Sequence, residues 1–305
     1  MPSWSLTLTC LVLAISSPTG AQDYMPVIPP PGSPPEAFTA AYVSSPGLPQ
    51  VPPSSGYVPQ PIWSPAVDPR PVAAEHLTEL TWYTRIDYFH WNERLDGQDF
   101  VNEEGPLLTL GYVRRVGPER FRGELFGGSV GYDGGAQMYD GGTVPLKSHT
   151  NYMGVRGEYD ILYDPEWWPG VSLFVGIGTR CWFRDMPDAF DEAGDLVWGY
   201  QETWWTVYPY VGLETRRTLT DEWEFYASGR VGATAVTYQH VTFDDVVLYP
   251  KLGITGQMQV GLRGRHFFLT GYFEGMTWSE SALVRNSLQP TSRMITVGLQ
   301  TGFNF

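Results

Sequence analysis

The sequence has little positive charge and little cysteine. Its 305 residues carry 19 Lys and Arg against 33 Asp and Glu, a net charge of −14, which excludes the basic surface that nucleic-acid binding requires. Two Cys exclude a disulfide scaffold. No apolar run approaches about 18 residues, so a helical membrane span is excluded as well. Lys is nearly missing, with 2 Lys against 17 Arg.

Aromatic residues, Gly and Pro are plentiful. Aromatics make up 15% of the chain, and there are 34 Gly and 26 Pro, which suit strands and turns better than helices. Hydrophobic residues reach 42%, so the chain as a whole is not disordered.

The first 76 residues divide into two predicted segments. Residues 1–21 are typical of a secretory signal peptide, with an apolar core from Leu6 to Ile15 and small residues up to a cleavage site after Ala21. A lipid anchor on Cys10 is the weaker alternative, because the residues after it do not suit a mature N-terminus. Residues 22–76 are Pro-rich and predict a disordered periplasmic linker. A tract that binds a partner through its aromatic side chains remains the alternative.

Residues 77–305 alternate with period two, which predicts β-strands. In the segment from Val171 to Thr179, for example, Val171, Leu173 and Val175 alternate with smaller or polar residues. About ten strands are predicted, at 77–91, 106–114, 121–132, 150–162, 171–184, 200–216, 223–238, 251–263, 266–278 and 293–305. Short connections alternate with long ones at about 92–105, 133–149, 185–199, 239–250 and 279–292. Pro209 lies within a strand, where its missing N–H predicts a bulge or bend.

Charged residues occupy the middle of the polar faces of these strands. In an outer-membrane barrel the apolar face contacts lipid and the polar face lines the lumen, the inverse of a soluble sandwich. The fixed fork of Arg suits carboxylate pairing in a confined interior. We therefore predict a lumen charge network formed by Arg85, Asp87, Arg122, Glu124, Arg156, Glu158, Arg180, Glu214, Glu224, Arg230 and Glu274.

Tryptophans gather near the strand ends, as the two aromatic girdles of a membrane barrel would. Trp167, Trp168 and Trp223 flank short turns, and a second set lies toward the long connections. That second set is Trp91, Trp182, Trp204, Trp205 and Trp278.

The last strand ends in an aromatic residue after alternating apolar positions, namely Val297, Leu299, Phe303 and Phe305. In this ending, together with the signal peptide and the strand pattern, residues 77–305 resemble bacterial outer-membrane β-barrel proteins. The resemblance implies an antiparallel up-and-down transmembrane barrel in the outer membrane. It also implies that the barrel assembly machinery reads these four residues, and that lipid and surface saccharide are partners. No cofactor is expected.

The long connections are acidic, with 15 Asp and Glu against 3 Lys and Arg. One of them is a candidate site for divalent cations, although a solvated rim is the favoured interpretation. Its carboxylates are Asp185, Asp188, Asp191, Glu192 and Asp195.

Three histidines map near the same rim, His90, His149 and His240, beside Asp99, Asp140, Asp244 and Asp245. Outer-membrane proteases of the omptin type use Asp and His there, which makes a hydrolase one alternative. We do not expect an enzyme, because the histidines lie on separate loops and long strands above the membrane are not evident.

Ten strands enclose little free space. The function that the sequence favours is therefore a closed or very narrow barrel with a structural or surface-interaction role through its acidic loops. A small-solute porin is the principal alternative.

Overall fold

The computed structural model describes residues 78–137, 143–243, 245–285 and 287–305. The predicted signal peptide, the Pro-rich segment, Asp140 and Asp244 lie outside the described residues. No helix long and apolar enough to cross a bilayer occurs within them.

The described residues form fourteen β-strands. Their bounds are β1 (Thr78–Leu95), β2 (Gln98–Val116), β3 (Glu119–Gln137), β4 (Thr143–Tyr163), β5 (Val171–Met186), β6 (Ala189–Phe190), β7 (Leu196–Val197), β8 (Tyr200–Thr218), β9 (Trp223–Ala233), β10 (Val236–Val241), β11 (Val246–Leu248), β12 (Ile254–Gly264), β13 (Phe267–Trp278) and β14 (Thr291–Asn304).

The strands close into an antiparallel barrel, because the first strand, β1, pairs with the last, β14. Their ladder runs from Thr81 opposite Asn304 to Arg94 opposite Thr291. Each remaining barrel strand pairs with its neighbours in sequence. β9 and β10 are the two halves of one barrel strand, as are β11 and β12, whereas β6 and β7 form a separate hairpin. The predicted all-β barrel of ten strands is confirmed. Thr78 and Phe305 lie at the end that carries the short connections, which we call the turn end; the opposite end is the loop end.

Pro209 produces a bulge in the neighbouring strand. β8 itself continues through this residue, which faces Ile177 of β5 in regular register. On the other side, the pairing changes from Tyr210–Gly232 to Val207–Val236, so one extra residue is inserted between β9 and β10. A proline cannot donate to the ladder, and the adjacent strand accommodates the missing bond.

The strands at the loop end are longer than the sequence predicted. The first connection, predicted at 92–105, is a tight turn in which Asp96 and Gly97 have φ of 52° and 80°. The second, predicted at 133–149, consists largely of β3 and β4, which continue to Gln137 and from Thr143. Strands of 18 residues extend about 60 Å, or about 45 Å along the axis at a tilt near 40°. A membrane band is about 25 Å tall, so the barrel projects beyond it.

The outer surface carries an apolar belt across the turn-end two thirds of the strands. Ile86, Val231 and Leu299 are 65–67% exposed on this surface. Toward the loop end the outward positions become polar, as at His90, Asn92 and Arg94 on β1. The inward positions carry most of the buried charge. This is the inverted arrangement of a membrane barrel.

Candidate functional site

Arg156 of β4 is the centre of an ion-pair network in the middle of the lumen. Its guanidinium lies 3.3 Å from Glu124, 2.6 Å from Glu158 and 3.1 Å from Glu274. Glu274 belongs to β13, which is five barrel strands from β4 in either direction. The Arg156–Glu274 pair therefore joins opposite walls of the barrel.

The structure brings nearly all of the predicted network residues together. Arg85 and Asp87 pair at 2.8 Å, Arg180 reaches Glu274 at 3.1 Å, and Arg230 reaches Glu158 at 2.6 Å. Ion pairs within the lumen therefore involve Arg85, Asp87, Arg122, Glu124, Arg156, Glu158, Arg180, Glu214, Arg230 and Glu274.

Glu224 is the exception, because the structure does not bring it to the other predicted residues. It lies next to the turn end of β9, is only partly buried, and has no ion pair among the described residues. Alternation alone places a residue on a face but does not say how far along the lumen it lies.

Sequence reasoning missed several members of the lumen. Arg120 pairs with Asp160 at 2.9 Å and also with Glu214, and both Arg120 and Asp160 have the inward parity of the predicted residues on their strands. Tyrosine hydroxyls complete the network: Tyr272 accepts from Arg156 at 2.9 Å, and Tyr208 donates to Glu158 at 2.8 Å.

Small residues make room for these tyrosines. A Cβ on Gly178 of β5 would lie 2.3 Å from the ring of Tyr208 on the adjacent strand. A Cβ on Gly111 would similarly meet the ring of Tyr83. Glycine at these inward positions lets the long side chains of a neighbouring strand lie flat against the wall and reach across the interior.

Four of the predicted girdle tryptophans lie inside the barrel, which corrects their assignment to the lipid surface. Trp91, Trp182, Trp204 and Trp278 are 0–2% exposed and contact one another, with centroid separations of 5.2–6.4 Å. They come from β1, β5, β8 and β13 and form a second layer of side chains, the Trp layer, on the loop-end side of the ion-pair network. Trp205, the fifth, does face outward. A position near the strand end suggested the lipid surface for these tryptophans, but the lumen also needs bulky apolar side chains to fill it.

A buried ion cluster covers the Trp layer on its loop-end side. Arg184 pairs with Glu93, Glu103 and Glu202 at 2.8–3.0 Å, and all four side chains are buried. Trp91 donates to Glu93, and Trp204 donates to Glu202, each at 2.8 Å. Glu93 and Glu103 were predicted to belong to a solvated acidic loop, but β1 and β2 extend and direct both inward.

A cavity of about 360 Å³ opens above this cluster at the loop end. Glu93, Glu202 and Gln239 lie in its lining. Its walls are otherwise largely apolar and aromatic, with Leu95, Phe100, Tyr132, Leu146, Met186, Trp198, Tyr200, Val241 and Leu248.

Two of the five carboxylates of the predicted cation-binding loop accept hydrogen bonds from backbone amides. Asp191 Oδ1 accepts from the N–H groups of Ala193 and Asp195 at 2.9 and 2.8 Å, and Asp188 Oδ1 accepts from Gly199 N–H at 2.7 Å. These bonds order the connection around the β6–β7 hairpin. Asp185 instead belongs to β5, one residue before its end, and Glu192 lies at the tip of the hairpin. Among described residues, no three His, Cys, Asp or Glu side chains are grouped as a metal site would need.

The three histidines lie on different strands. His90 belongs to β1, His149 to β4 and His240 to β10. Of the described histidines, His240 is the one that contacts a carboxylate, with Nε2 3.0 Å from Asp245 Oδ1 at an exposed position. Long strands above the membrane were not evident from the sequence, and this counted against a hydrolase. That argument is wrong, because β1–β4 do project beyond the apolar belt.

The predicted assembly residues all face outward on the last strand. Val297, Leu299, Phe303 and Phe305 are 50–76% exposed. The backbone N–H of Phe305 donates to the carbonyl of Leu80 at 2.8 Å, next to the seam that closes the barrel.

Deleting Phe305 is expected to block assembly of the barrel in cells. The exposed side chain contributes little packing, so a defect would reflect loss of recognition rather than of stability. Heat-modifiable migration of envelope fractions measures the folded barrel. Phe190→Ala, which removes an equally exposed aromatic far from the C-terminus, serves as the control. Normal migration of the deletion variant would contradict the assignment.

No protein-family profile matches this sequence, and no curated protein matches it. Among solved structures it is similar to the outer-membrane protease OmpT from Escherichia coli, with 9% identity over 75% of this chain and 96% of that chain and a TM-score of 0.44. The beta domain of the Bordetella autotransporter BrkA matches at 11% identity over 74% and 99% of the two chains, with a TM-score of 0.41. The Pseudomonas putida toluene transporter TodX matches at 9% over 74% and 89%, with a TM-score of 0.29.

These similarities concern the fold and assign no activity, since the three proteins have different roles. The closed barrel, its outer apolar belt and its charged interior are the features of a bacterial outer-membrane β-barrel. The predicted resemblance and the predicted location in the outer membrane are confirmed.

Proposed function

We propose that this outer-membrane β-barrel is closed to solutes and acts at the cell surface through its projecting loop end. The observation that carries the proposal is the Arg156–Glu274 pair at 3.1 Å between opposite walls. The Trp layer lies above it as a second obstruction, and the Arg184 cluster as a third. A conducting pore needs a continuous water path, and three successive layers of buried side chains oppose one.

The loop end faces the cell exterior in this proposal. Both ends of the described barrel lie at the turn end, and a secreted N-terminal segment would place that end in the periplasm. The apolar belt would contact lipid, and the polar wall above it would contact surface saccharide. Divalent cations would join the acidic loops to such saccharides rather than fill a dedicated cage.

Planar-bilayer recording tests the closed lumen. Refolded protein is expected to give no steady unitary openings. Trp204→Ala is also expected to stay silent, because the ion-pair network beneath the Trp layer still spans the lumen. Trp205→Ala, on the lipid-facing side of the same strand, is the matched control. Steady openings of the wild type would favour the small-solute porin instead, and openings of Trp204→Ala alone would show that the central network does not seal.

A catalytic role for the loop end is the weaker proposal. The His240–Asp245 contact at 3.0 Å is the one observation that favours it, since an acid beside an imidazole can orient a general base. Peptide hydrolysis by the refolded barrel that is abolished in His240→Ala would establish it. Hydrolysis that is absent, or unchanged in that variant, would reject His240 as the base.

A further inference from the structure

We propose that the loop-end cavity binds an amphipathic organic cation, a molecule that joins an ammonium, amidinium or guanidinium group to an aromatic or aliphatic body. The inference deepens the proposed surface function and rests on it, because Glu93 and Glu202 of the Arg184 cluster lie in the lining of the cavity.

The floor of the cavity presents unused carboxylate oxygens. Glu93 uses Oε1 to accept from Trp91 and from Arg184 Nη1 at 2.8 and 2.9 Å. Glu202 uses Oε2 to accept from Trp204 and from the same Arg184 nitrogen at 2.8 and 3.0 Å. The other oxygen of each carboxylate has no donor among the described residues, and both side chains line the cavity. Two acceptors therefore await N–H groups from outside.

Gln239 adds a third acceptor. Its side chain is fully buried, and its Nε2 donates to Gln289 Oε1 at 2.6 Å. Its own Oε1 has no hydrogen-bond partner, although the residue lines the cavity. A buried acceptor without a donor costs free energy, and a rotation of the Gln239 side chain toward the cavity would let an N–H group of the ligand recover it.

The charge of the cluster favours a cation. Arg184 is the single guanidinium among Glu93, Glu103 and Glu202, so the carboxylates outnumber their partner. An inorganic divalent ion fits less well, since Arg184 already occupies the centre of the carboxylates. An organic cation can instead donate to the outward-facing oxygens while its body stays in the cavity.

The walls provide the apolar half of the site. Phe100, Leu146 and Tyr200 pack against the buried Val101, Tyr132 and Met186, and several of these side chains line the cavity. The volume of about 360 Å³ lies in the range of small-molecule pockets, which is about 300–1,000 Å³. A small aromatic body would be surrounded on several sides while its cationic group reaches the floor.

Titration calorimetry with benzamidine and with the neutral benzamide tests the proposal on the barrel refolded in a non-ionic detergent. The two probes share shape and ring but differ in charge. Benzamidine is expected to bind saturably and at least tenfold more tightly than benzamide. Equal affinity, or no saturable benzamidine binding, would overturn the proposal.

Two variants locate the site. Glu202→Gln is expected to weaken benzamidine binding at least tenfold, and Gln239→Leu, which removes an acceptor and leaves the ion cluster intact, several-fold. Glu104 is the residue after Glu103, and its side chain faces outward. The control variant Glu104→Gln should therefore bind benzamidine like the wild type. If Glu202→Gln does not fold, as judged by heat-modifiable migration, Gln239→Leu decides. Unchanged binding in the folded variants would place the ligand elsewhere and refute the site.

Conductance of the same preparations separates this inference from the proposed function. An open channel that still binds benzamidine would refute the closed lumen alone. A silent barrel without binding would refute the cation site alone.

Discussion

Arg156→Met is expected to destabilise the barrel by about 3–5 kcal/mol, the cost of removing one partner from buried ion pairs. The substitution keeps much of the side-chain volume but removes the cation shared by Glu124, Glu158 and Glu274. All three carboxylates are buried, and each keeps another partner, Arg85 for Glu124, Arg230 for Glu158 and Arg180 for Glu274, so the loss measures what the shared cation adds. Unfolding by guanidinium chloride in lipid vesicles, followed by tryptophan fluorescence, measures the change.

Arg94→Met is the matched control. Arg94 pairs with Asp99 at 2.8 Å, a geometry as good as those in the lumen, but both side chains are at least half exposed. The hydrogen bond from Arg94 lowers the pKa of Asp99 below its usual value, yet solvent screening makes such surface pairs weak. Loss of the Arg94–Asp99 pair should therefore change the free energy of unfolding by no more than the experimental error. A similar small effect for Arg156→Met would mean that the lumen is hydrated and the network is not what holds the walls together.

Val211→Arg is expected to cost about 2–4 kcal/mol, the penalty for a cation on the lipid face near the bilayer midplane. Val211 is 55% exposed on the outer surface of β8, within the apolar belt. The same vesicle unfolding experiment measures this cost.

Gln201→Arg places the same side chain on the same face of β8, ten residues toward the loop end and beyond the belt. Because that position contacts water in the proposed orientation, the substitution should be nearly neutral. Equal costs at the two positions would contradict the assigned membrane boundary. A negligible cost at Val211 would contradict lipid contact altogether.

Alternation in the sequence was sufficient to predict the strands and their faces. The period of two is a property of each strand alone, so Ile86 and Asp87 could be assigned to opposite faces without knowing their neighbours. The inverted arrangement also followed, because paired Arg and Glu in mid-strand suit an enclosed interior.

The ends of the strands could not be predicted in the same way. Beyond the apolar belt the outward positions become polar, as at Asn92 and Arg94, and the alternation of apolar with polar residues disappears. The backbone ladder nevertheless continues to the turn at Asp96 and Gly97. The sequence signal therefore marked the membrane boundary and not the end of β1.

The sequence by itself determined the number of strands and the alternation of their faces, because these depend on local periodicity, and its resemblance to outer-membrane barrels gave the location. Only the tertiary structure decided that Arg156 reaches Glu274 across the lumen, that the Trp layer lies inside, and that Glu93 and Glu202 meet beneath a cavity. Those contacts join strands far apart in the chain, and their partners depend on the register and closure of the barrel, which no single strand encodes.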